Sequence, residues 1–287
     1  MIATDPPSTF RVYSPSQTAD WLQCPIFRRF RKPSVLSSLN EATPHVWQER
    51  AVEWEPARVL GTAVQAGYNV YLKDPHSADD AIAEDLVEAT IAREFVEQPK
   101  YTLPGLTKLA LRGVEALLEA DLFTRHVILD LDQPLTHSRP DYVSRHETQG
   151  LGVTDLKVSA RVDERYRVKR LSEYETDDQF WHYAWEVGNT LGEDVKWVRV
   201  ILLILTPKAV VLPQTVTVTP ERLQFWLEGA EQHWRDMTAE DDGKRPVVSR
   251  WPNCRGGKYG VCVAYDFCHN LDRDPVRATT YYDRVPK

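Results

Sequence analysis

Three side chains near the middle of the chain have the types and spacing that hydrolytic chemistry uses: Asp141, Asp155 and Lys157. They lie in a stretch, Ser138 to Ser159, that reads as two strand-like runs, Asp141-Tyr142-Val143 and Leu151 to Val158. The polar loop His146-Glu147-Thr148-Gln149-Gly150 joins them as a hairpin. Side chains alternate across a strand, so Asp155 and Lys157 share one face while Leu156 turns the other way, into a core. One acid from each arm of the hairpin, with a lysine beside the second, is a donor set for a hard divalent ion and a polarised water. That equipment suits cleavage of a phosphodiester. On this stretch alone, a solvated hairpin with a surface ion pair accounts for the same residues.

The elements that must position these groups follow from periodicity. Ser14-Pro15-Ser16-Gln17 combines a serine N-cap, proline at the first helical position and a capping-box glutamine. The helix it opens turns Trp21 and Leu22 inward and leads to Cys24. The stretch from Pro33 to Pro56 lacks a period and is expected to be irregular. From Arg58 the positions Leu60, Val64, Tyr68, Tyr71 and Leu72 predict a helix, with Gly61 and Gln65 one turn apart on a shared face. Two further amphipathic helices are expected at Ala78 to Val96 and Leu106 to Leu122. Strands begin at Arg125 to Leu131. After the hairpin, Thr176-Asp177-Asp178 caps a helix whose Gln179 and Tyr183 share a face. Strands Trp197 to Thr206 and Ala209 to Thr219 follow around Pro207-Lys208, and Thr219-Pro220 opens a helix to about Met237. This order predicts an α/β fold: a mixed central β-sheet flanked by helices, with an N-terminal helical lobe.

The composition permits such a body. The chain has 287 residues, 42% hydrophobic and 27% charged, enough for a substantial core. Its longest apolar run, Val198 to Leu205, is broken by Arg199, which suits a buried strand and excludes a bilayer span. The opening Met-Ile-Ala-Thr-Asp-Pro-Pro lacks the regions of a secretory signal, so a cytoplasmic protein without membrane contact is expected. The net charge of −7 weighs against a nucleic-acid partner. Its distribution answers that objection. Arg28, Arg29, Arg31 and Lys32 cluster with Phe27 and Phe30, and Arg161, Arg165, Arg167, Lys169 and Arg170 form a second basic run, while acid concentrates between Asp74 and Glu97. A locally basic groove on an acidic body would attract phosphates.

Four cysteines complete the inventory: Cys24 alone, and Cys254, Cys262 and Cys268 together near the other end. In a cytosolic chain, thiols in such number point to a metal or a cluster more than to disulfides; unrelated free thiols are the plain alternative.

In this order the motifs resemble one family, the RecB-type PD-(D/E)XK nucleases that carry an iron–sulfur cluster, a group including AddB-like and CRISPR-associated exonucleases. Pro140-Asp141 followed by Asp155-Leu156-Lys157 resembles its signature, with thirteen residues, 142 to 154, between the acids. Gln179-Phe180-Trp181-His182-Tyr183 matches its glutamine and tyrosine four apart, and His182 lies on another face as a structural residue. The segment Ser14 to Pro25 and the tail Trp251 to Cys268 are similar to those that supply its four thiolates.

The resemblance implies a restriction-endonuclease-like core in a single domain, 1–287. It has a helical part at about 14–122, a core at about 123–240, and a cysteine clasp of 251–268 with Cys24 joining the two ends. It implies a metal-dependent deoxyribonuclease, an exonuclease of DNA recombination, repair or phage DNA processing. Asp141, Asp155, the Leu156 carbonyl and Gln65 would hold Mg²⁺ or Mn²⁺, Lys157 would polarise water, and Gln179 and Tyr183 would align the strand. A [4Fe-4S] cluster on the four cysteines ranks ahead of zinc. The implied partners are DNA, single-stranded or at ends, held by Arg28, Arg29, Arg31, Lys32, Arg161 and Arg165, and a recombination or helicase protein.

Two departures stand out. Seven residues, Arg255 to Val261, separate the first clustered cysteines where two are expected. At Gly61-Thr62-Ala63-Val64-Gln65 a glutamine replaces the family's histidine ligand. Gln65 opens the alternative of a catalytically reduced member that binds DNA or a protein partner.

Overall fold

The computed structural model describes residues 10–23, 56–73, 79–95, 101–131, 135–159 and 173–244. Within them the chain runs α1 (Pro15–Gln23), α2 (Pro56–Lys73), α3 (Asp80–Glu94), α4 (Leu103–Ala120), β1 (His126–Leu131), β2 (Tyr142–His146), β3 (Gly150–Ser159), α5 (Asp178–Leu191), β4 (Trp197–Ile204), β5 (Val210–Thr217) and α6 (Pro220–Asp241). The chain divides into two compact units: residues 54–227 with 1–3, and residues 4–53 with 228–287.

In the first unit the strands form a five-stranded sheet in the order β1-β2-β3-β4-β5. Neighbours are antiparallel except β3 and β4, which run parallel because the connection between them returns through α5. The α/β architecture expected from the element order is therefore present: a mixed sheet with helices on both faces. On one face α2, α3 and α4 bring Leu60, Val64, Val87, Ile91 and Leu117 against Ile201, Leu203 and Leu205. On the other, α5 and the first turns of α6 cover Val143, Leu151, Val153, Val198 and Val200. Each fully buried side chain of this kind contributes about 1.5–3 kcal/mol, so two covered faces make the sheet the rigid frame of the unit.

The alternation along β3 sorts its residues as the sequence requires. Leu151 and Val153 enter the α5 side, Leu156 and Val158 the α2 side. Asp155 and Lys157 keep the phase of Leu151 and Val153 and so face the α5 side. Gly152 is set by contact: a Cβ there would lie 1.9–2.2 Å from atoms of the Trp197 ring, which crosses the strand at that point.

Several element ends differ by a few residues from those expected, among them three that bear on α4, α6 and Asp141. α4 starts at Leu103 rather than Leu106, because Thr102 caps it, its Oγ1 accepting the Gly105 N–H at 3.2 Å. α6 extends to Asp241 rather than Met237. Asp141 was expected inside the first strand but stands one residue ahead of β2, off the ladder.

In the second unit, α1 carries the expected capping box: Ser14 N–H donates to Gln17 Oε1 at 3.0 Å and Gln17 N–H to Ser14 Oγ at 3.3 Å. Such caps contribute about 1 kcal/mol. Trp21 Nε1–H donates to the buried Glu240 at 2.8 Å, and Phe10 packs on Trp234. Among the described residues no helix is long and apolar enough to cross a membrane.

Candidate active site

The site forms where β3 outruns β2. Their ladder runs from His146 opposite Gly150 to Tyr142 opposite Thr154, and from Asp155 to Ser159 β3 is paired with β4 alone. Beyond the last β2 partner the backbone on that side has no strand to bond. Asp141 takes the place of one: its Oδ2 accepts the Leu156 N–H at 2.6 Å, and its Oδ1 accepts Gln65 Nε2–H at 3.0 Å. The N–H and C=O of a strand residue point to the same side, so the Leu156 carbonyl faces the side of Asp141 as well. Gln65 comes from α2, beneath the sheet; Asp141 thus ties one helical layer to the strand end.

The second carboxylate reaches the same end from the α5 face. Asp155 is 3% exposed, with Oδ2 2.7 Å from Lys157 Nζ and Oδ1 3.4 Å from the Tyr183 hydroxyl. Lys157 Nζ also donates to Gln179 Oε1 at 3.3 Å. Gln179 Nε2–H donates to the Tyr183 hydroxyl, which lies 3.2 Å from the Arg139 carbonyl. Gln179 and Tyr183 are one turn apart on α5, at whose start Asp177 accepts the Gln179 N–H at 2.9 Å. The positive end of that helix therefore lies in the turn that carries Gln179. Sequence reasoning named Gln65, Asp141, Asp155, Leu156, Lys157, Gln179 and Tyr183, and the fold brings all seven into one connected network.

The charges in this network are held by one another. Burial pushes the Asp155 carboxyl above its ordinary range, while Lys157 and the Tyr183 hydroxyl pull the other way. Burial works against the Lys157 ammonium, but the adjacent Asp155 and Asp141 prevail and hold its pKa above the usual value. Tyr183 is kept a phenol by burial first and by Asp155 second. The site thus brings a desolvated carboxyl group, an ammonium and a phenol into contact.

Among the described residues no group of three or more His, Cys, Asp or Glu is placed to hold a metal ion by itself, so an ion here would draw on other oxygens as well. Two carboxylates, a backbone carbonyl and an amide oxygen are hard donors, and a magnesium or manganese ion keeps waters in its remaining positions. A buried carboxylate with a raised pKa gains from a nearby cation. The donor set therefore fits a divalent hard ion.

The other named residues, Cys24, Cys254, Cys262, Cys268, Arg28, Arg29, Arg31, Lys32, Arg161 and Arg165, lie outside the described residues. His182 is buried and meets Trp185 and Trp226 edge to face, in keeping with a structural place. Two participants were not foreseen: the Arg139 carbonyl, which no side-chain pattern announces, and Glu186. The signal for Glu186 was present in the sequence, an acid one turn beyond Tyr183 on the helix face that already carries Gln179 and Tyr183.

No family model matches the sequence, and neither does any curated protein. Among solved structures the chain is similar to a Eubacterium rectale protein that carries the name "Putative exonuclease". That likeness has a TM-score of 0.49 and 14% identity over 96% of this chain and 89% of the other. A second likeness, to a protein named SSO0001, has a TM-score of 0.22 and 10% identity over 69% of this chain and 83% of the other. Both are too distant to carry a functional reading, which rests on the site itself.

Proposed function

We propose that the chain is a metal-dependent nuclease that hydrolyses phosphodiester bonds in DNA, acting as an exonuclease in recombination, repair or phage DNA processing. The observation that carries the reading is the convergence of Asp141, Asp155 and Lys157 with Gln179 and Tyr183 at the open end of β3. Asp141, Asp155, the Leu156 carbonyl and Gln65 would hold a magnesium or manganese ion. When bound, that ion supplies a Lewis acid for the scissile phosphate and lowers the pKa of a coordinated water.

The chain's own groups do the rest. Lys157 stays protonated between Asp155 and Gln179, and its ammonium orients the attacking water and balances charge developing on the phosphate. Asp155, buried against Lys157 and Tyr183, would be fixed in place as a ligand to that ion. Gln179 and Tyr183 hold Lys157 and Asp155 in register and offer an amide and a hydroxyl to phosphate oxygens, beside the positive end of α5. Phosphate contacts from Arg28, Arg29, Arg31, Lys32, Arg161 and Arg165 would position DNA without reading its bases. The four thiols of Cys24, Cys254, Cys262 and Cys268 are a donor set for a [4Fe-4S] cluster ahead of zinc. Iron and zinc analysis of anaerobically purified protein separates the two.

The test is cleavage of single-stranded, double-stranded and circular DNA with magnesium or manganese, by the wild type and by Asp155→Asn. Metal-dependent loss of linear but not circular DNA, abolished in the variant, is expected. A second reading, a reduced member that binds DNA or a partner, draws on the amide N–H that Gln65 directs at Asp141 where a nitrogen ligand would stand. Under that reading the wild type binds DNA and cleaves none.

A further inference from the structure

Asp141 can complete the site only if the segment before it is held, and that segment, residues 135–140, has no regular structure. Its anchorage comes from α5. Glu186 is 6% exposed, and its carboxylate accepts the His137 N–H at 2.8 Å and the Ser138 hydroxyl at 2.5 Å. His182 Nε2 lies 3.5 Å from the same carboxylate. One turn earlier on the helix, Tyr183 donates to the Arg139 carbonyl. Pro140 is buried, and Asp141 follows directly, with its two oxygens committed to Leu156 and Gln65. Glu186 is therefore the far end of a short chain of contacts that ends on the first acid. It touches none of the groups that would meet an ion or a substrate.

We infer that Glu186 is a positioning residue of the nuclease site: by bonding His137 and Ser138 it fixes the lead-in to Asp141, and so the carboxylate that caps Leu156. The inference rests on the reading of the site given above, but its structural part stands on contacts alone. A buried carboxylate is a costly anchor unless its lone pairs are satisfied, and here a backbone N–H and a hydroxyl satisfy them, with the His182 ring 3.5 Å away. Burial opposes the ionised form of Glu186, and the bonds from His182, Ser138 and His137 overcome it, so its pKa falls below the ordinary range. An ionised anchor holds its donors more tightly than a neutral one would. Helix α5 then serves the site twice. Its face at Gln179 and Tyr183 meets Lys157 and Asp155, and its next turn, at Glu186, sets Asp141.

Amide hydrogen exchange on the full-length chain decides the point without relying on activity. The Leu156 amide has Asp141 as its acceptor, whereas the central amides of β4 belong to the sheet. In Glu186→Ala the protection of Leu156 should fall roughly tenfold relative to β4, as for an opened charge-assisted bond. Glu186→Gln, which still accepts from His137, should recover part of it, and Ser138→Ala gives the same pattern more weakly should the alanine variant fail to fold. Manganese affinity, measured by titration calorimetry, should weaken in the same order. Protection of Leu156 equal to wild type in Glu186→Ala or, failing that, in Ser138→Ala would overturn the inference, leaving Glu186 a plain stability residue. A wild type that neither binds manganese nor cleaves DNA would instead overturn the nuclease reading, and the exchange of Leu156 would still decide whether Glu186 sets Asp141.

Discussion

The β2–β3 hairpin has two ends that solve the same problem in opposite ways. At the turn, β1, β2 and β3 are fully paired, and their polar side chains are closed in by rings. His126 meets His146 at 4.8 Å and Trp197 at 5.4 Å between centroids, and its Nδ1 lies 3.2 Å from Ser144 Oγ. Arg199 stacks on Trp197 and donates to the Leu122 carbonyl at 2.9 Å. At the other end the ladder stops, and carboxylates, a lysine and an amide take over from the missing strand. A completed ladder leaves no backbone group for side chains to meet, and burial there favours the neutral form of His126. A ladder that runs out presents backbone donors and acceptors, and groups gathered to meet them can meet a ligand too. Chemistry is expected at the end where β3 is left half paired.

The sharpest way to break this contrast is Lys157→Ala. Loss of the ammonium should reduce cleavage by about a thousandfold or more, measured on linear DNA with saturating metal. It also leaves the buried Asp155 without its ion-pair partner, so a destabilisation of about 1–3 kcal/mol at neutral pH should accompany it. Unchanged cleavage would place the chemistry elsewhere.

At the closed end the corresponding change is Gly152→Ala. The added Cβ would sit 1.9–2.2 Å from the Trp197 ring, so the ring or strand must shift. The expected loss is about 3 kcal/mol in urea unfolding, with the metal requirement of the folded fraction unaltered. A shifted metal requirement would mean that the two ends are coupled through β3.

A smaller effect sharpens the open end. Gln65→Ala removes the amide from Asp141 Oδ1 and should raise the metal concentration for half-maximal cleavage by about tenfold, as loss of a supporting contact does. Gln65→His offers a borderline nitrogen donor and should lower the manganese requirement relative to magnesium. Three superimposable titrations would show that Gln65 serves neither as ligand nor as support.

The smallest effect belongs to the closed end. Burial, then Arg199 and His146, lower the pKa of His126 from 6.5 to about 4. Between these values the unfolded chain binds the proton that the fold refuses. Its stabilising contribution is therefore full above 6.5 and is lost as pH falls towards 4. For a ring partly reached by solvent the loss is about 1–2 kcal/mol. His126→Phe should flatten that part of the stability profile, followed by urea unfolding at a series of pH values. An unchanged slope would assign the acid sensitivity to other groups.

Much of this was legible in the chain because local rules produce it. Alternation in Leu151 to Val158 set which face Asp155 and Lys157 share, and four-residue spacing paired Gln179 with Tyr183. Caps announced α1 and α5, and the polar loop announced the hairpin. Thr102 escapes a reading that starts this helix at Leu106 on apolar periodicity alone, although a proline such as Pro104 is well tolerated in a first turn.

The register of one element against another has no local signature. Whether β2 ends opposite Thr154 or further along depends on how α2 to α4 and α5 pack on the two faces of the sheet. That register decides that Asp141 falls off the ladder and onto Leu156. The pairing of Gln65 with Asp141, across 76 positions, and the hold of Glu186 on His137 and Ser138, across 49 and 48, likewise exist only once those layers are stacked. Residue types and spacing within an element specify which groups share a face; the burial of two apolar faces on one sheet specifies which faces meet.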